Sequence, residues 1–170
     1  MKILVVDDER AVLDAYKHIL APTLEQPQED ALHQLASSLF SDVAPTSKAN
    51  ALNEADVTFC TQGLEAVEAI EKSLREGAPF KAAFIDIRMP PGIDGKETAR
   101  RIRLMDPNIN LVIVSAYSDH NVTDIAAVAG PPDKIFYISK PFDAAEIIQM
   151  ATALVHRWDF DIRQIEALKS

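Results

Sequence analysis

Ala82-Ala83-Phe84-Ile85-Asp86 is a short apolar run that ends on a carboxylate. Apolar runs of this length without polar alternation are typical of strands covered on both faces, as in a parallel sheet. Two other apolar runs also lead into charged residues: Ile3–Val6 precedes Asp7-Asp8-Glu9, and Ile135–Ile138 precedes Ser139-Lys140-Pro141. Because ligands in open α/β sheets bind at the carboxyl ends of the strands, we expect these acids and this lysine to converge.

The overall composition predicts one globular domain. A chain of 170 residues, 48% hydrophobic and 25% charged, can bury one core but is too short for two ordinary domains. No apolar run reaches the roughly 18 residues of a membrane span, and the N-terminal run is too short for a signal peptide, so we expect a cytoplasmic protein without a membrane partner. The net charge of −9 argues against direct nucleic-acid binding by this chain, which needs clustered Lys and Arg.

The residues that bind soft metals are too few or too scattered for a zinc site. Cys60 is the single cysteine, and its place at the end of an apolar run predicts a buried structural thiol rather than a disulfide. The four histidines show no ligand spacing. The acids are better suited to a hard divalent cation such as Mg²⁺.

Hydrophobic periodicity predicts five strands that alternate with helices. This order is typical of a doubly wound α/β fold with a parallel sheet. Right-handed crossovers would bring the carboxyl ends of all strands to one edge. The predicted strands are 2–6, 56–60, 79–86, 110–114 and 134–138, and the predicted helices are 9–20, 64–76, 94–105, 119–129 and 143 to at least 158.

Residues 21–55 differ in character from the rest of the chain. They contain Pro22, Pro27 and Pro45 and many small polar residues around one segment, 32–40, with an apolar stripe at helical spacing. We interpret them as an insertion that carries one amphipathic helix. This helix either packs back on the domain or forms a dimer or partner surface.

Residues at the predicted sheet edge suit phosphoryl transfer. Asp7, Asp8 and Asp86 would repel one another and tend to be protonated unless a cation lies among them, and Mg²⁺ accepts carboxylates while keeping waters for a phosphate. Ser115 and Lys140 add a hydroxyl and an amine, and no histidine or cysteine base is present. Asp86 is therefore the natural nucleophile, which would give an aspartyl phosphate.

Several of these residues also have simpler interpretations or local consequences. Asp7 or Asp8 alone could cap a helix. The tight turn after the fifth strand predicts a cis Lys140–Pro141 bond that aims the lysine into the site. The Arg100-Arg101-Arg103 cluster is typical of a solvated helix face.

Together the motifs resemble the response-regulator receiver domain of two-component signalling. The match covers nearly all of the chain except the insertion and the final dozen residues. The resemblance implies a flavodoxin-like fold with strand order 2-1-3-4-5, a histidine kinase or phosphotransfer protein as partner, and no enzyme activity beyond its own phosphorylation and dephosphorylation. The matching segments are Val6–Glu9, Asp86–Pro90, Asp94-Gly95, Ser115-Ala116, Tyr137 and Lys140–Phe142.

The resemblance also implies a metal site. Asp86 would be the phosphoacceptor and a Mg²⁺ ligand. Asp8 would bind the ion directly, Asp7 would hold it through a water, and the backbone carbonyl of Arg88 would be a further ligand.

A second group of positions is implied to hold the phosphoryl group and to respond to it. Ser115 would donate a hydrogen bond to it, and Lys140 would pair with it. Tyr137 matches the aromatic switch that turns inward when the hydroxyl moves, which would alter a partner-binding or dimerisation surface. The chain departs from the family in its insertion and in a loop, Pro91-Gly92-Ile93, that is one residue longer.

The end of the chain extends the last predicted helix. Ile162, Ile165 and Leu168 continue a near-heptad spacing beyond Trp158, which predicts a helical tail or coiled-coil linker at 158–170 after a receiver domain at 1–157. This tail could lead to an output domain beyond residue 170, serve as a homodimer handle, or be a frayed helix end.

Three other functions are compatible with parts of this pattern. A metal-dependent aspartyl-phosphate phosphatase usually has a general acid two residues after its nucleophile, where this chain has Arg88. A degenerate receiver could serve only as a phospho-independent interaction or dimerisation module, although the acids are intact. A flavin carrier would need Gly, Ser or Thr after the first strand, where this chain has Asp7 and Asp8.

Overall fold

The computed structural model describes residues 1–20, 55–116 and 123–170. The amphipathic helix predicted within the insertion, and the start of the helix predicted at 119–129, lie outside these residues. Within them, the strands are β1 (Lys2–Val6), β2 (Asp56–Cys60), β3 (Ala82–Asp86), β4 (Asn110–Ser115) and β5 (Ile135–Ser139). The helices are α1 (Arg10–Leu20), α2 (Gly63–Arg75), α3 (Gly95–Met105), α4 (Thr123–Ala129) and α5 (Ala144–Lys169), with a 3₁₀ turn at Pro132–Lys134.

The strands form one parallel sheet in the order β2-β1-β3-β4-β5. This confirms the predicted doubly wound, flavodoxin-like fold. β1 and β3 are neighbours, with Val6 opposite Ile85, so the residues that follow them emerge side by side. Asp86 lies opposite Val114 on β4, which places Ser115 one residue further along the same edge.

Alternating side chains divide the core into one layer on each face of the sheet. Leu4 and Val6 point to the layer formed with α2, α3 and α4. Ile3 and Val5 point to the layer formed with α1 and α5. Because both faces are covered, the strands lack the polar alternation of a half-exposed sheet.

Two strands begin later than predicted. β3 starts at Ala82 rather than Pro79, because proline has no N–H for the ladder and the first bond from this segment to β1 is donated by the Lys81 amide to the Lys2 carbonyl. β5 starts at Ile135 rather than Lys134, because the Lys134 amide closes the 3₁₀ turn on the Pro131 carbonyl.

The prediction that the Arg100-Arg101-Arg103 cluster is solvated is wrong for Arg103, which is only 8% exposed. Burial lowers the pKa of its guanidinium. Arg100 and Arg101 pair with Glu97 at 2.8 and 2.7 Å on the outer side of α3. The Arg103 guanidinium instead lies within hydrogen-bond distance of five backbone carbonyls, those of Asp106, Pro107, Ile109, Ala129 and Lys134.

α5 is continuous through the predicted boundary at 157/158. Asp159 pairs with Lys81 just before β3, and Asp161 pairs with Lys134 just before β5 at 2.6 Å. These contacts hold the helix against the amino end of the sheet, while Leu168 near its end is 87% exposed. Although α5 has 26 residues, neither it nor any other described helix has the length and apolar character that a bilayer crossing requires.

Candidate functional site

Three carboxylates meet at the carboxyl edge of the sheet. Asp7 follows β1 and Asp86 ends β3, and both are buried, with 1% and 6% of their surface exposed. Asp8 is half-buried beside them. One oxygen from each of the three residues lies within 4.8 Å of the others, so the strand order brings together the acids that the sequence pointed to.

Lys140 reaches this cluster from the far side of the sheet. Its ammonium donates a hydrogen bond to Asp7 Oδ2 at 2.7 Å and lies 3.1 Å from Asp86 Oδ1. Its backbone amide donates to the Ser115 carbonyl at 2.8 Å, which fixes the start of the turn. The Lys140–Pro141 bond is cis, as predicted.

The site carries more negative than positive charge. Burial raises the pKa of Asp86 to about 6, and the neighbouring charges of Asp7 and Asp8 add to this rise while Lys140 opposes it. Burial alone would lower the pKa of Lys140, but its bonds to Asp7 and Asp86 raise the pKa above its ordinary value. Among the ion pairs of the described residues, the Lys140 ammonium is the cation that bonds to this group of three carboxylates, an arrangement that favours a divalent cation.

Asp7 is held by its own turn as well as by Lys140. Its Oδ1 accepts a hydrogen bond from the Glu9 amide at 2.9 Å, and its amide donates to the Cys60 carbonyl at 3.1 Å. Both carboxylate oxygens thus have donors, which fixes the side chain before any ligand binds.

Cys60 is buried, as predicted, and burial raises the pKa of its thiol to about 11.

Asp94 and Gly95 seat α3 directly against the backbone of Asp86. The Asp94 side chain caps the helix by accepting from the Glu97 amide at 2.8 Å, and the Gly95 amide donates to the Ile87 carbonyl at 2.8 Å. A Cβ at position 95 would lie 2.3 Å from the Asp86 carbonyl oxygen, so only glycine permits this approach.

The remaining predicted residues lie at different distances from the acids. Ser115 ends β4, is buried, and stands between the strand that carries Asp86 and the strand that leads to Lys140. Tyr137 is 42% exposed on β5, where it lines a groove of about 580 Å³ with α5 rather than the acid cluster. Arg88 follows β3 with an exposed side chain. The roles assigned to Ser115, Tyr137 and the Arg88 carbonyl stay predictions.

Two residues near the site had no predicted part in it. Tyr16 lies on α1 and packs against Phe84 and Phe142 at centroid distances of 5.8 and 4.9 Å. Burial raises the pKa of its phenol, as do the charges of the nearby Asp7 and Asp86. The Gln62 side chain forms hydrogen bonds to the loop after β3. One indication of this contact was present in the sequence, a glutamine at a helix N-cap position that usually has Ser, Thr, Asp or Asn.

Curated relatives match parts of the chain. It is 31% identical over 101 residues to the transcriptional regulatory protein ZraR of Klebsiella oxytoca, which covers 59% of this chain and 21% of that protein. It is 28% identical over 85 residues to sporulation initiation phosphotransferase F of Bacillus subtilis strain 168, which covers 50% of this chain and 61% of that protein. The chain thus spans less than two thirds of either relative.

Solved structures share the fold over nearly the whole chain. A CheY-like receiver domain protein from Methanospirillum hungatei matches with a TM-score of 0.63 at 19% identity, covering 94% of this chain and 97% of that one. A structure described as adenylate cyclase from Rhodopirellula baltica matches with a TM-score of 0.68 at 24% identity, covering 99% and 97%. A receiver protein from Sinorhizobium medicae matches with a TM-score of 0.60 at 26% identity, covering 93% and 96%.

The family model described as "Response regulator receiver domain" matches residues 46–152. This range contains Asp86, Ser115 and Lys140. Asp7 and Asp8 precede it, separated by the long segment after α1, and the pairing of β1 with β3 brings them into the same site. The chain belongs to the response regulator receiver domain family of two-component signalling.

Proposed function

We propose that this receiver domain is phosphorylated on Asp86 in a Mg²⁺-dependent reaction and that the phosphoryl group changes its affinity for a partner or for a second copy. The observation that carries the proposal is the meeting of Asp7, Asp8, Asp86 and Lys140 at one sheet edge. We place the reaction in the cytoplasm, with a histidine kinase or phosphotransfer protein as donor, in keeping with the family.

The donor set fits Mg²⁺. Carboxylate oxygens are hard ligands, and in the described part of the chain the group of three that converges here is paired with the Lys140 ammonium, so a dication would offset the excess negative charge. Asp7, Asp8 and Asp86 would hold it, together with the Arg88 carbonyl. When bound, the ion would neutralise the phosphoryl oxygens and let them approach the carboxylates.

The chain's own residues would carry out the transfer. An oxygen of ionised Asp86 forms the new O–P bond as the N–P bond of a phosphohistidine breaks, and the leaving imidazole keeps the electron pair of that bond. Lys140, whose ammonium lies 3.1 Å from Asp86 Oδ1, would pair with a phosphoryl oxygen. Because both groups are held before the reaction, little reorganisation is needed.

The response would run from Ser115 to Tyr137. A phosphoryl group on Asp86 would draw the Ser115 hydroxyl toward it, and Tyr137 would turn from its exposed position into the space vacated. This shifts a two-state equilibrium rather than creating a new fold, so a difference of a few kcal/mol between the states is sufficient. The surface around α4, β5 and α5 would change its partner affinity.

Binding of fluoroberyllate, a phosphoryl mimic, tests this proposal. With Mg²⁺, ¹⁹F NMR should show a bound fluoroberyllate signal for the wild-type chain that is absent in EDTA and absent in Asp86→Asn. Asp133→Asn, which changes an exposed acid outside the cluster, should retain the signal. A wild-type chain that gives no signal would indicate a phospho-independent interaction module, and a signal that persists in Asp86→Asn would place the site elsewhere.

A further inference from the structure

Gln62 occupies the N-cap position of α2, yet its side chain makes no hydrogen bond to that helix. Its Nε2 instead donates to the Pro90 carbonyl, and its Oε1 accepts from the Gly92 amide, both at 3.2 Å. The two bonds enclose Pro91 from either side. The side-chain amide therefore joins the turn after β2 to the loop after β3.

The residue types on both sides of this contact suit it. A primary amide offers a donor and an acceptor in one plane, which a capping Ser or Asp does not. A Cβ at position 92 would lie 2.5 Å from Gln62 Oε1, while the next nearest atom, Gln62 Cδ, would be 3.6 Å away. Among the described residues, the end of the Gln62 side chain is thus the group that an alanine at position 92 would have to displace.

The loop that Gln62 holds is the one that leaves Asp86. Residues 87–94 connect β3 to α3 and contain Arg88. The far end of the loop is fixed by Gly95 against the Asp86 and Ile87 carbonyls. Its middle contains the additional residue in Pro91-Gly92-Ile93, which adds backbone freedom that must be restricted if the loop is to present a ligand.

We propose that Gln62 is a positioning residue of the Mg²⁺ site. By holding Pro90 and Gly92, it fixes the backbone of the lengthened loop and, through it, the carbonyl of Arg88. This inference rests on the proposed function, because it concerns the affinity of the same site. Gln62 itself touches neither the acids nor the phosphoryl group.

A double-mutant cycle on Gln62 and Gly92 tests the proposal by the Mg²⁺ dissociation constant from isothermal titration. Gln62→Ala and Gly92→Ala should each raise the constant by about tenfold, the lower end of the loss seen when groups that orient metal ligands are removed. The double variant should bind no more weakly than Gln62→Ala, because the added Cβ then meets none of the described side chains at close range.

Thr61→Ala is the matched control. The Thr61 hydroxyl lies in the same turn and, within the described residues, donates to the Glu65 carboxylate alone, so its removal should change the constant by less than about twofold. The substitutions Gln62→Ala and Thr61→Ala should lower the midpoint of thermal unfolding in EDTA to a similar extent. A tenfold loss of Mg²⁺ affinity that is confined to the Gln62 and Gly92 variants would then reflect a change at the metal site rather than a loss of overall stability.

The outcomes separate this inference from the proposed function. The role of Gln62 would be overturned if Gln62→Ala bound Mg²⁺ with the wild-type dissociation constant, or if Thr61→Ala and Gln62→Ala lost equal affinity for Mg²⁺. It would also be overturned if the losses of affinity added up in the double variant. Each of these results would leave the proposed phosphorylation of Asp86 standing. A wild-type chain that binds no Mg²⁺ would overturn both.

Discussion

The ammonium of Lys140 lies 3.1 Å from Asp86 Oδ1, although β4 separates the strands from which the two residues extend. The same ammonium is bonded to Asp7, on the strand at the other side of β3. One side chain thus spans the carboxyl edge from β5 to β1. This contact holds a buried acidic cluster together before any cation binds.

Replacing Lys140 by methionine should destabilise the Mg²⁺-free domain. Removing the ammonium leaves two buried carboxylates without their partner, which costs about 3 kcal/mol for pairs of this kind. The loss should shrink at saturating Mg²⁺, because the ion supplies the missing positive charge. Urea unfolding in EDTA and in Mg²⁺ measures both values.

Lys134→Met provides the control for that measurement. Lys134 lies just before β5 and pairs with Asp161 at 2.6 Å, with a side chain as well buried as that of Lys140 but at the opposite edge of the sheet. Lys134→Met should lower the free energy of unfolding by the same amount in EDTA and in Mg²⁺. If Mg²⁺ rescued neither variant, the acidic cluster would not be the ion's site.

Asp86→Asn should stabilise the Mg²⁺-free domain in a pH-dependent way. The pKa of Asp86 is raised by burial from 3.8 to about 6, so its ionisation is less favourable in the folded chain than in the unfolded one. The Asp86 carboxyl makes its full contribution to the free energy of unfolding below pH 3.8. This contribution, about 3 kcal/mol, is lost as the pH rises from there through 6. Asparagine avoids this loss.

Thermal unfolding of Asp86→Asn and wild type at about pH 8 and about pH 4 checks the sign. The variant should unfold at a higher temperature than wild type at the higher pH, and the difference should nearly vanish at the lower one. An equal difference at both values would show that the carboxyl group does not titrate in this range.

Arg103→Lys should be far more disruptive than Arg101→Lys. The buried Arg103 guanidinium bonds to carbonyls at the ends of α3 and α4 and at the starts of β4 and β5, and lysine cannot reach them all. We expect Arg103→Lys to lower the free energy of unfolding by about 3 kcal/mol. Arg101→Lys, which affects the exposed Arg101–Glu97 pair, should lower it by less than about 1 kcal/mol. Urea unfolding in EDTA gives both. Equal losses would mean that the five carbonyls are satisfied without the guanidinium.

Chains that end at residue 157 and at residue 162 should differ in stability. The longer chain keeps the pairs of Asp159 with Lys81 and of Asp161 with Lys134, and it keeps Trp158, over which the Lys81 ammonium lies at 5.2 Å. We expect the shorter chain to unfold about 2 kcal/mol more easily, since these contacts are partly buried. Equal stability would place the end of the folding unit at 157, where the spacing of the sequence put it.

Much of the fold could be predicted because its signals are local. Continuous apolar runs of five residues, separated by helical spacing, are read from neighbouring positions, and the acids follow directly from where those runs end. The meeting of Asp7, Asp8 and Asp86 needed only the further condition that β1 and β3 are neighbours, which the sheet meets.

The missed features depend on contacts between distant segments. The pattern around Arg103 is that of an ordinary exposed helix, and only the approach of Ala129 and Lys134 gives its guanidinium buried acceptors. Gln62 bonds to a loop 28 residues further along the chain. Tyr137 illustrates a different limit, because one static position cannot show that a side chain changes orientation.

Intact-mass and peptide mass spectrometry after incubation with acetyl phosphate tests the central claim most directly. With Mg²⁺, the chain should gain the mass of one phosphoryl group, located on the peptide that contains Asp86, and the gain should disappear in EDTA and in Asp86→Asn. A chain that gains no phosphoryl group under these conditions, or a gain that survives Asp86→Asn, would contradict the account.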